Sequence, residues 1–411
     1  MKRVCLVSLK DPFLANAGDR FPLGIGYLGA ALQQRDDYEI ILLDMNHNNE
    51  SYLFFQASRS NAIGISFTTP QATRAYELSE QLRHNYPDLL LIAGGPHPSA
   101  LPKEPLKHGF STVIVGEGEE CLDWIIDMNY KGVFESPRVE NLDRFPYPAR
   151  ELIDMRNYNM VINGKRTATM ITSRGCPNRC AYCSKQVYGR SVRYRSIKNI
   201  VLEIISLMDD YNYKGVYFQD DVFTASKKRT NDLCDAIRGM HLNTDYDLSW
   251  RATTRADFVN KDLLKNMKRA GCDVISFGVE SGDDIVLKRV GKNMSTVINK
   301  QAIGWARSVG MRVKGFFILG LPGETKESAL KTIEFSKSCG VNTADFYFLT
   351  PFPGSDIWHN PKSYGIRFDK KLPWDQYLQA GKKVPEPIIE TEHLSKSDLM
   401  ELMSFAKAEW G

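Results

Sequence analysis

Three cysteines fall within eight residues, Cys176, Cys180 and Cys183, in the run GCPNRCAYC. Thiolates this close in sequence cannot readily form two disulfides, and a structural zinc would need a fourth ligand that the run does not offer. An iron-sulfur cluster is left. Ordinary electron-transfer clusters take four cysteines, so three leave one iron without a protein ligand and open to a small molecule. That arrangement points to chemistry and not only to electron carriage. Of the remaining cysteines, Cys234, Cys272 and Cys339 lack CxxC spacing and read as small buried apolar residues.

The elements that must hold this run alternate between β and α patterns. In the first 120 residues, VCLVSL, YEIILLD, AIGISF, LLLIAGG and TVIVGEG are separated by helical stretches such as 23–34 and 70–86. Such alternation indicates βαβ units on a parallel sheet. Two of the strands run into the turns Gly94-Gly95-Pro96-His97-Pro98 and Gly116-Glu117-Gly118. In open α/β sheets, ligands bind beyond the carboxyl ends of the strands, so these turns should line a crevice. Residues 135–165 contain ESPRVENLDRFPYPARELIDMRNY, whose prolines block long elements, and read as a linker.

A second series follows: TATMITS, GVYFQDD, DLSWRATTR, VISFGVES, VKGFFILG and TADFYFLT, with helical patterns at 197–211, 227–241, 262–270, 295–309 and 326–339. The predicted class is α/β: a Rossmann-like domain over 1–134, the linker, a partial (β/α)6 barrel over 166–360, and a short helical C-terminal extension over 361–411 that ends in a helix. The cysteine run follows the first strand of the second series, where barrel enzymes carry reactive groups.

Composition narrows the rest. A chain of 411 residues, 43% hydrophobic and 25% charged, has material for two cores. A net charge of +4 without a dense Lys/Arg run gives no basis for a nucleic-acid partner. No stretch approaches the roughly 18 to 20 apolar residues of a membrane span. Lys10 and Asp11 break the N-terminal apolar run too early for a secretory leader, and the eight cysteines do not form a secreted disulfide framework. The expected location is a reducing cytoplasm.

The C-x3-C-x2-C spacing, with Tyr182 before the last cysteine, resembles the signature of the radical S-adenosylmethionine (SAM) superfamily, and the likeness covers residues 166–360. The resemblance implies a 4Fe-4S cluster on Cys176, Cys180 and Cys183, which are thereby also the catalytic residues. The cluster would reductively cleave SAM to a 5'-deoxyadenosyl radical. The resemblance further implies SAM contacts at Tyr182, mainly through its backbone, at Asp220 and Asp221 in FQDDVFT, at Glu280 in GVESG, and at Ile318 and Gly320 in GFFILGLPGE. Taken as residues alone, the three carboxylates fit strand-end polarity or helix capping, and Tyr182 fits packing. Arg251 and Arg255, on the third strand, could clamp a carboxylate bidentately; Arg251 joins the expected SAM-binding set.

Residues 1–130 resemble, through FPLGIGYLG, GGPHPSALP and VGEGEE, the cobalamin-binding domain that precedes many radical SAM domains. The resemblance implies a class B methyltransferase-like branch, with cobalamin contacts at Gly24, Gly26, Ser66, Gly94, Gly95, Pro96, His97, Gly116 and Glu117. The D-x-H-x-x-G string that supplies a cobalt-ligating histidine elsewhere is absent, so no such ligand is expected, and His97 is expected to hydrogen-bond or brace its turn. Only Cys5 and Cys121 precede the cysteine run and none follows Cys339, so a single cluster is expected. The implied reaction is methyl transfer from methylcobalamin to an unactivated carbon or phosphorus centre of a small-molecule biosynthetic intermediate, with flavodoxin or ferredoxin as electron donor. The alternatives are a radical lyase, dehydratase or cyclase whose N-terminal domain is empty, and a non-catalytic iron-sulfur or zinc module.

Overall fold

The computed structural model describes residues 1–12, 17–378 and 385–410. They form two compact units. One comprises Met1–Asn159 with Ser184–Gly189 and a stretch beginning at Leu372; the other comprises Met160–Cys183, Arg190–Lys371 and the C-terminal residues. The change of unit after Asn159 lies within the segment read as linker.

The first unit is built on a six-stranded sheet of β1 (Lys2–Ser8), β2 (Tyr38–Asp44), β3 (Ala62–Ser66), β4 (Leu90–Gly94), β5 (Thr112–Val115) and β6 (Gly132–Glu135), in the order β2-β1-β3-β4-β5-β6. Every neighbouring pair is parallel. The strands read as unbroken apolar runs because helices cover both faces. Cys5 and Val7 pack with Ile63, Ile65 and Leu91 under α2 (Glu50–Ala57) and α3 (Ala72–Asn85). Val4 and Leu6 pack with Ile92 and Ile114 against α1 (Leu23–Leu32) and α5 (Leu122–Asp127), while the short α4 (Pro96–Ala100) follows β4 directly. The strands predicted from sequence all form. The edge strand β6 was not foreseen, since its four residues are half-buried or exposed and carry no apolar run.

The second unit curls a seven-stranded sheet into a half-barrel. Its strands are β7 (Val161–Ile162), β8 (Lys165–Met170), β11 (Gly215–Phe218), β12 (Ser249–Thr254), β13 (Cys272–Glu280), β14 (Arg312–Leu319) and β15 (Thr343–Phe348). Six are parallel in the order β15-β14-β13-β12-β11-β8, with β7 antiparallel at the edge. The small strands β9 (Ser173–Arg174) and β10 (Arg193–Tyr194) pair antiparallel by themselves. The helices α6 (Ile197–Asp209), α7 (Lys227–Gly239), α8 (Lys261–Arg269), α9 (Asp284–Arg289), α10 (Thr296–Ser308) and α11 (Lys326–Ser338) alternate with the strands, and α12 (Asp356–His359) and α13 (Lys396–Trp410) follow.

Side-chain alternation gives this sheet one fully buried face and one partly covered face. Val216, Phe218, Trp250, Ala252 and Phe277 are fully buried on one face, whereas Tyr217, Arg251 and Thr253 on the other are only partly covered. Helix α7 shows how each helix is fixed: Ser226 caps it by accepting from the Arg229 N–H, and Thr230, Leu233, Cys234 and Ile237 form one buried stripe. All six predicted barrel strands and five predicted helices form; α9, only six residues long, was not foreseen. Among the described residues no helix is long and apolar enough to cross a membrane.

Candidate metal centre and cofactor crevice

The segment leading from β8 into the cysteine run is gripped from below. Asp220, just past β11, is buried; its Oδ1 accepts from the Thr172 N–H at 2.7 Å, and its Oδ2 from the hydroxyls of Thr172 and Ser173, both at 2.5 Å. Burial pushes this carboxyl above its ordinary range, against the pull of Arg229 and the three donors. Asp221 accepts from the Gly175 N–H at 3.2 Å. The Thr172 carbonyl accepts from the Arg195 N–H and from Arg229 Nη2, at 3.0 and 2.9 Å. Both acidic residues therefore spend hydrogen bonds on the entry to the cysteine loop.

The loop itself is tied down by its backbone. The Ala181 N–H donates to the Val290 carbonyl at 2.9 Å, the Ile357 N–H to the Ala181 carbonyl at 3.1 Å, and the Cys183 N–H to the Cys180 carbonyl at 3.0 Å. None of the eight cysteines is in a disulfide, and Cys176 is buried while Cys180 and Cys183 are partly open. Two sulfurs receive N–H donors: Asn178 Nδ2 lies 3.4 Å from Cys176 Sγ, and Arg255 Nη1 lies 3.7 Å from Cys180 Sγ. The Tyr182 hydroxyl is pushed well above its usual range by burial, and then by the Glu280 carboxylate and the two flanking cysteines.

Glu280 ends β13 at a register shift against β14, and its φ of 70° lies in the left-handed region that non-glycine residues avoid. Its Oε1 pairs with Lys292 Nζ at 2.8 Å, and both side chains are buried. Lys292 is the functional neighbour that sequence reasoning missed. It lies twelve residues away, beyond α9, in no pattern that announces it. Ile318 is buried on β14 beside Tyr347, and Gly320 follows with φ 86°. The Gly320 N–H donates to Glu324 Oε2 at 2.6 Å, and burial pushes Glu324 up to about 8. Arg251 sits in mid-strand with its guanidinium 4.2 Å above the Tyr217 ring. It is Arg255, beyond the end of β12, that reaches the cysteines.

In the first unit, the sheet order changes direction between β1 and β3, and in sheets of this order the ligand crevice opens beyond the strand ends at that point. Ser66 ends β3 beside Gly94 of β4, and a Cβ built on Gly24 at the start of α1 would stand 4.0 Å from the Ser66 hydroxyl. Gly94 has open space where a side chain would go. Gly95, at φ 96°, passes so near Phe67 and Ser66 that a Cβ would come within 2.8 Å. These four residues share one end of the sheet. Gly116, whose N–H donates to Ser99 Oγ at 3.0 Å, follows β5, and buried Glu117 accepts from the Val139 N–H at 3.1 Å.

Two residues of the expected cobalamin set face inward. The His97 ring, after Pro96, is fully buried, with Nε2 at 3.0 Å from the Tyr76 hydroxyl and Nδ1 at 3.2 Å from the Thr69 hydroxyl. Burial pushes its pKa down to about 3, so the ring is neutral and both nitrogens are engaged. Gly26 packs: a Cβ there would fall 2.5 Å from the Phe21 ring and 3.0 Å from Pro148. Gly26→Ala is therefore expected to destabilise the chain by about 1–3 kcal/mol through overpacking. Chemical denaturation checks this, and a variant as stable as the parent would return Gly26 to the set free to serve a ligand.

Comparison with known proteins decides what these arrangements belong to. The family described as the radical SAM superfamily matches residues 170–336, and the B12 binding domain matches residues 13–125. The chain is a radical SAM protein with a B12-binding domain. The uncharacterized methyltransferase PH0819 of Pyrococcus horikoshii is 28% identical to it, over 93% of this chain and 86% of the relative. Cytidylyl-2-hydroxyethylphosphonate methyltransferase of Streptomyces wedmorensis is 25% identical, over 82% and 77% respectively. The radical SAM methyltransferase TsrM of Kitasatospora setae, solved with cobalamin and a 4Fe-4S cluster, has the same fold, with a TM-score of 0.74 at 16% identity, over 92% of this chain and 83% of that one.

A radical SAM protein of this branch takes a 4Fe-4S cluster, SAM and cobalamin, and the residues fit all three. No three His, Cys, Asp or Glu side chains among the described residues converge on a single ion; a four-iron cluster takes each thiolate on a different iron and does not require that. The N–H donors on Cys176 and Cys180 suit cluster sulfurs. Glu280, held in a strained backbone and oriented by Lys292, suits a ligand hydroxyl. Open Gly94, with Ser66 and Gly24, suits the edge of a large cofactor.

Proposed function

We propose that this radical SAM protein is a cobalamin-dependent methyltransferase acting on an unactivated carbon or phosphorus centre of a small molecule. The observation that carries the reading is the joining, on this chain, of a three-cysteine radical SAM domain to a B12-binding domain, and relatives named as methyltransferases support it. When bound, the cluster supplies an electron for SAM cleavage to a 5'-deoxyadenosyl radical and cobalamin supplies the methyl carrier.

The chain's own part is to hold and orient. Cys176, Cys180 and Cys183 would hold the cluster through their thiolates. Asp220 and Asp221 fix the loop that carries them. Glu280 binds the SAM ribose with Tyr182 alongside, and the backbone around Ile318 and Gly320 borders the adenine. Gly24, Ser66, Gly94 and Gly95 meet the cobalamin edge, with Gly116 and Glu117 at the neighbouring strand end. His97, enclosed and hydrogen-bonded to Tyr76 and Thr69, would brace its turn and not serve as a cobalt ligand. A low-potential flavodoxin or ferredoxin would be the electron donor, in a cytoplasmic setting that would keep the thiols reduced.

The test is cobalt and iron stoichiometry of protein produced anaerobically with cobalamin supplied, with mass spectrometry of SAM products. Near-stoichiometric cobalt with a methylated product and S-adenosylhomocysteine is the expected result. Formation of 5'-deoxyadenosine with no cobalt bound would replace methyl transfer by a radical elimination or cyclisation.

A further inference from the structure

We propose that Arg255, opposed by Asp257, sets the reduction potential of the cluster through Cys180. Arg255 stands one residue beyond β12 and is buried. Its Nε and Nη2 hold the two Asp257 oxygens at 2.9 and 2.8 Å, and Nη2 also donates to the Lys292 carbonyl at 2.8 Å. Groups that ligate no iron thus fix the guanidinium fork. The remaining nitrogen, Nη1, is turned on the Cys180 sulfur at 3.7 Å.

The direction of the effect follows from charge. On reduction, the cluster with its three thiolates gains one electron from a low-potential one-electron donor and becomes more negative by one charge; no bond forms or breaks. A cation fixed beside one thiolate favours the more negative state, and an N–H donor on the sulfur acts in the same sense, so Arg255 raises the potential. Asp257, in the same ion pair, lowers it. Arg255 is buried, so its charge is screened less than a surface cation's would be, whereas Asp257 is exposed and its opposing effect is the smaller one. The same guanidinium touches the carbonyl of Lys292, whose ammonium holds Glu280, so one residue braces both the cluster loop and the strand end beside it.

The inference rests on the cluster in the proposed function and not on methyl transfer. The experiment uses the full chain reconstituted anaerobically, as wild type, Arg255→Met, Arg255→Lys and Asp257→Asn. Iron content is measured for each, and the midpoint potential is read by redox titration followed by electron paramagnetic resonance. In Arg255→Met, the ratio of reduced to oxidised cluster at a fixed ambient potential is expected to fall about tenfold, a shift of about 59 mV for a one-electron couple. Arg255→Lys, which keeps the charge, should fall less. Asp257→Asn should move the potential upward. A loosened loop would shift the Arg255→Met and Asp257→Asn potentials the same way, so opposite signs identify the charge effect. Unchanged potentials, or shifts of one sign, overturn the inference. If Arg255→Met holds no iron, Arg255→Lys and Asp257→Asn decide on the same criterion. A wild-type chain that takes up no iron overturns the proposed function itself.

Discussion

Replacing any one of Cys176, Cys180 or Cys183 with Ala is expected to cut iron content after anaerobic reconstitution to a small fraction of the wild-type value and to abolish SAM cleavage. Each thiolate serves a different iron, and water replaces a lost thiolate poorly. The loop should survive the change, because Ala181 is tied to Val290 and Ile357 through backbone hydrogen bonds that involve no sulfur. Thermal unfolding of the metal-free variants should therefore match that of the metal-free parent, which separates loss of ligand from loss of fold. Cys234→Ala provides the control. Its thiol is buried on α7 and burial pushes it up to about 12, so it is protonated and unsuited to iron. That variant should keep full iron content. Equal iron in any of the three ligand variants would remove the cluster assignment.

The second large effect concerns the buried pair of Glu280 and Lys292. Glu280→Ala leaves the Lys292 ammonium in a pocket where its side chain is only 4% exposed, and Lys292→Met leaves the carboxylate equally stranded. Breaking such a pair from either side costs about 3–5 kcal/mol, whereas removing both partners costs far less. In a double-mutant cycle, Glu280→Ala with Lys292→Met should thus be more stable than either single variant. SAM affinity, measured by equilibrium binding with iron content verified, should behave differently. It should fall in Glu280→Ala and stay low in the double variant, because stability returns but the carboxylate proposed to bind the ribose does not. If the double variant recovers binding along with stability, Glu280 serves the fold alone. Its φ of 70° is the largest among the non-glycine residues with positive φ in the described chain, a backbone cost that accompanies the placing of its carboxylate beside Lys292.

The chemistry was more legible than its support. The cysteine spacing named a cluster without any structure, since three thiols in eight residues admit few other partners. Asp220 and Asp221 were visible as strand-end carboxylates, but whether such groups point at a ligand or turn back to the chain depends on the turn that follows. Both turn to backbone or hydroxyl donors between Thr172 and Gly175. Arg251 and Arg255 looked alike because alternation on a strand puts residues four apart on one face. The strand stops at Thr254, however, and the turn after it aims Arg255 at Cys180 while Arg251 remains over Tyr217.

What the sequence by itself determined is therefore the local and periodic part: two series of βα units, because apolar runs buried on both faces and capped amphipathic helices follow from spacing alone, and the three-cysteine loop that the first barrel strand feeds. Only the tertiary structure decided which polar groups meet. Glycine shows why. Gly26 and Gly94 carry the same letter at the edge of the same crevice, yet Gly26 is a packing gap filled by Phe21 and Gly94 is open. Likewise Lys292 becomes the partner of Glu280 only because β13, α9 and the turn beyond fold back on one another, and a buried charge accepts whichever opposite charge that return brings within reach.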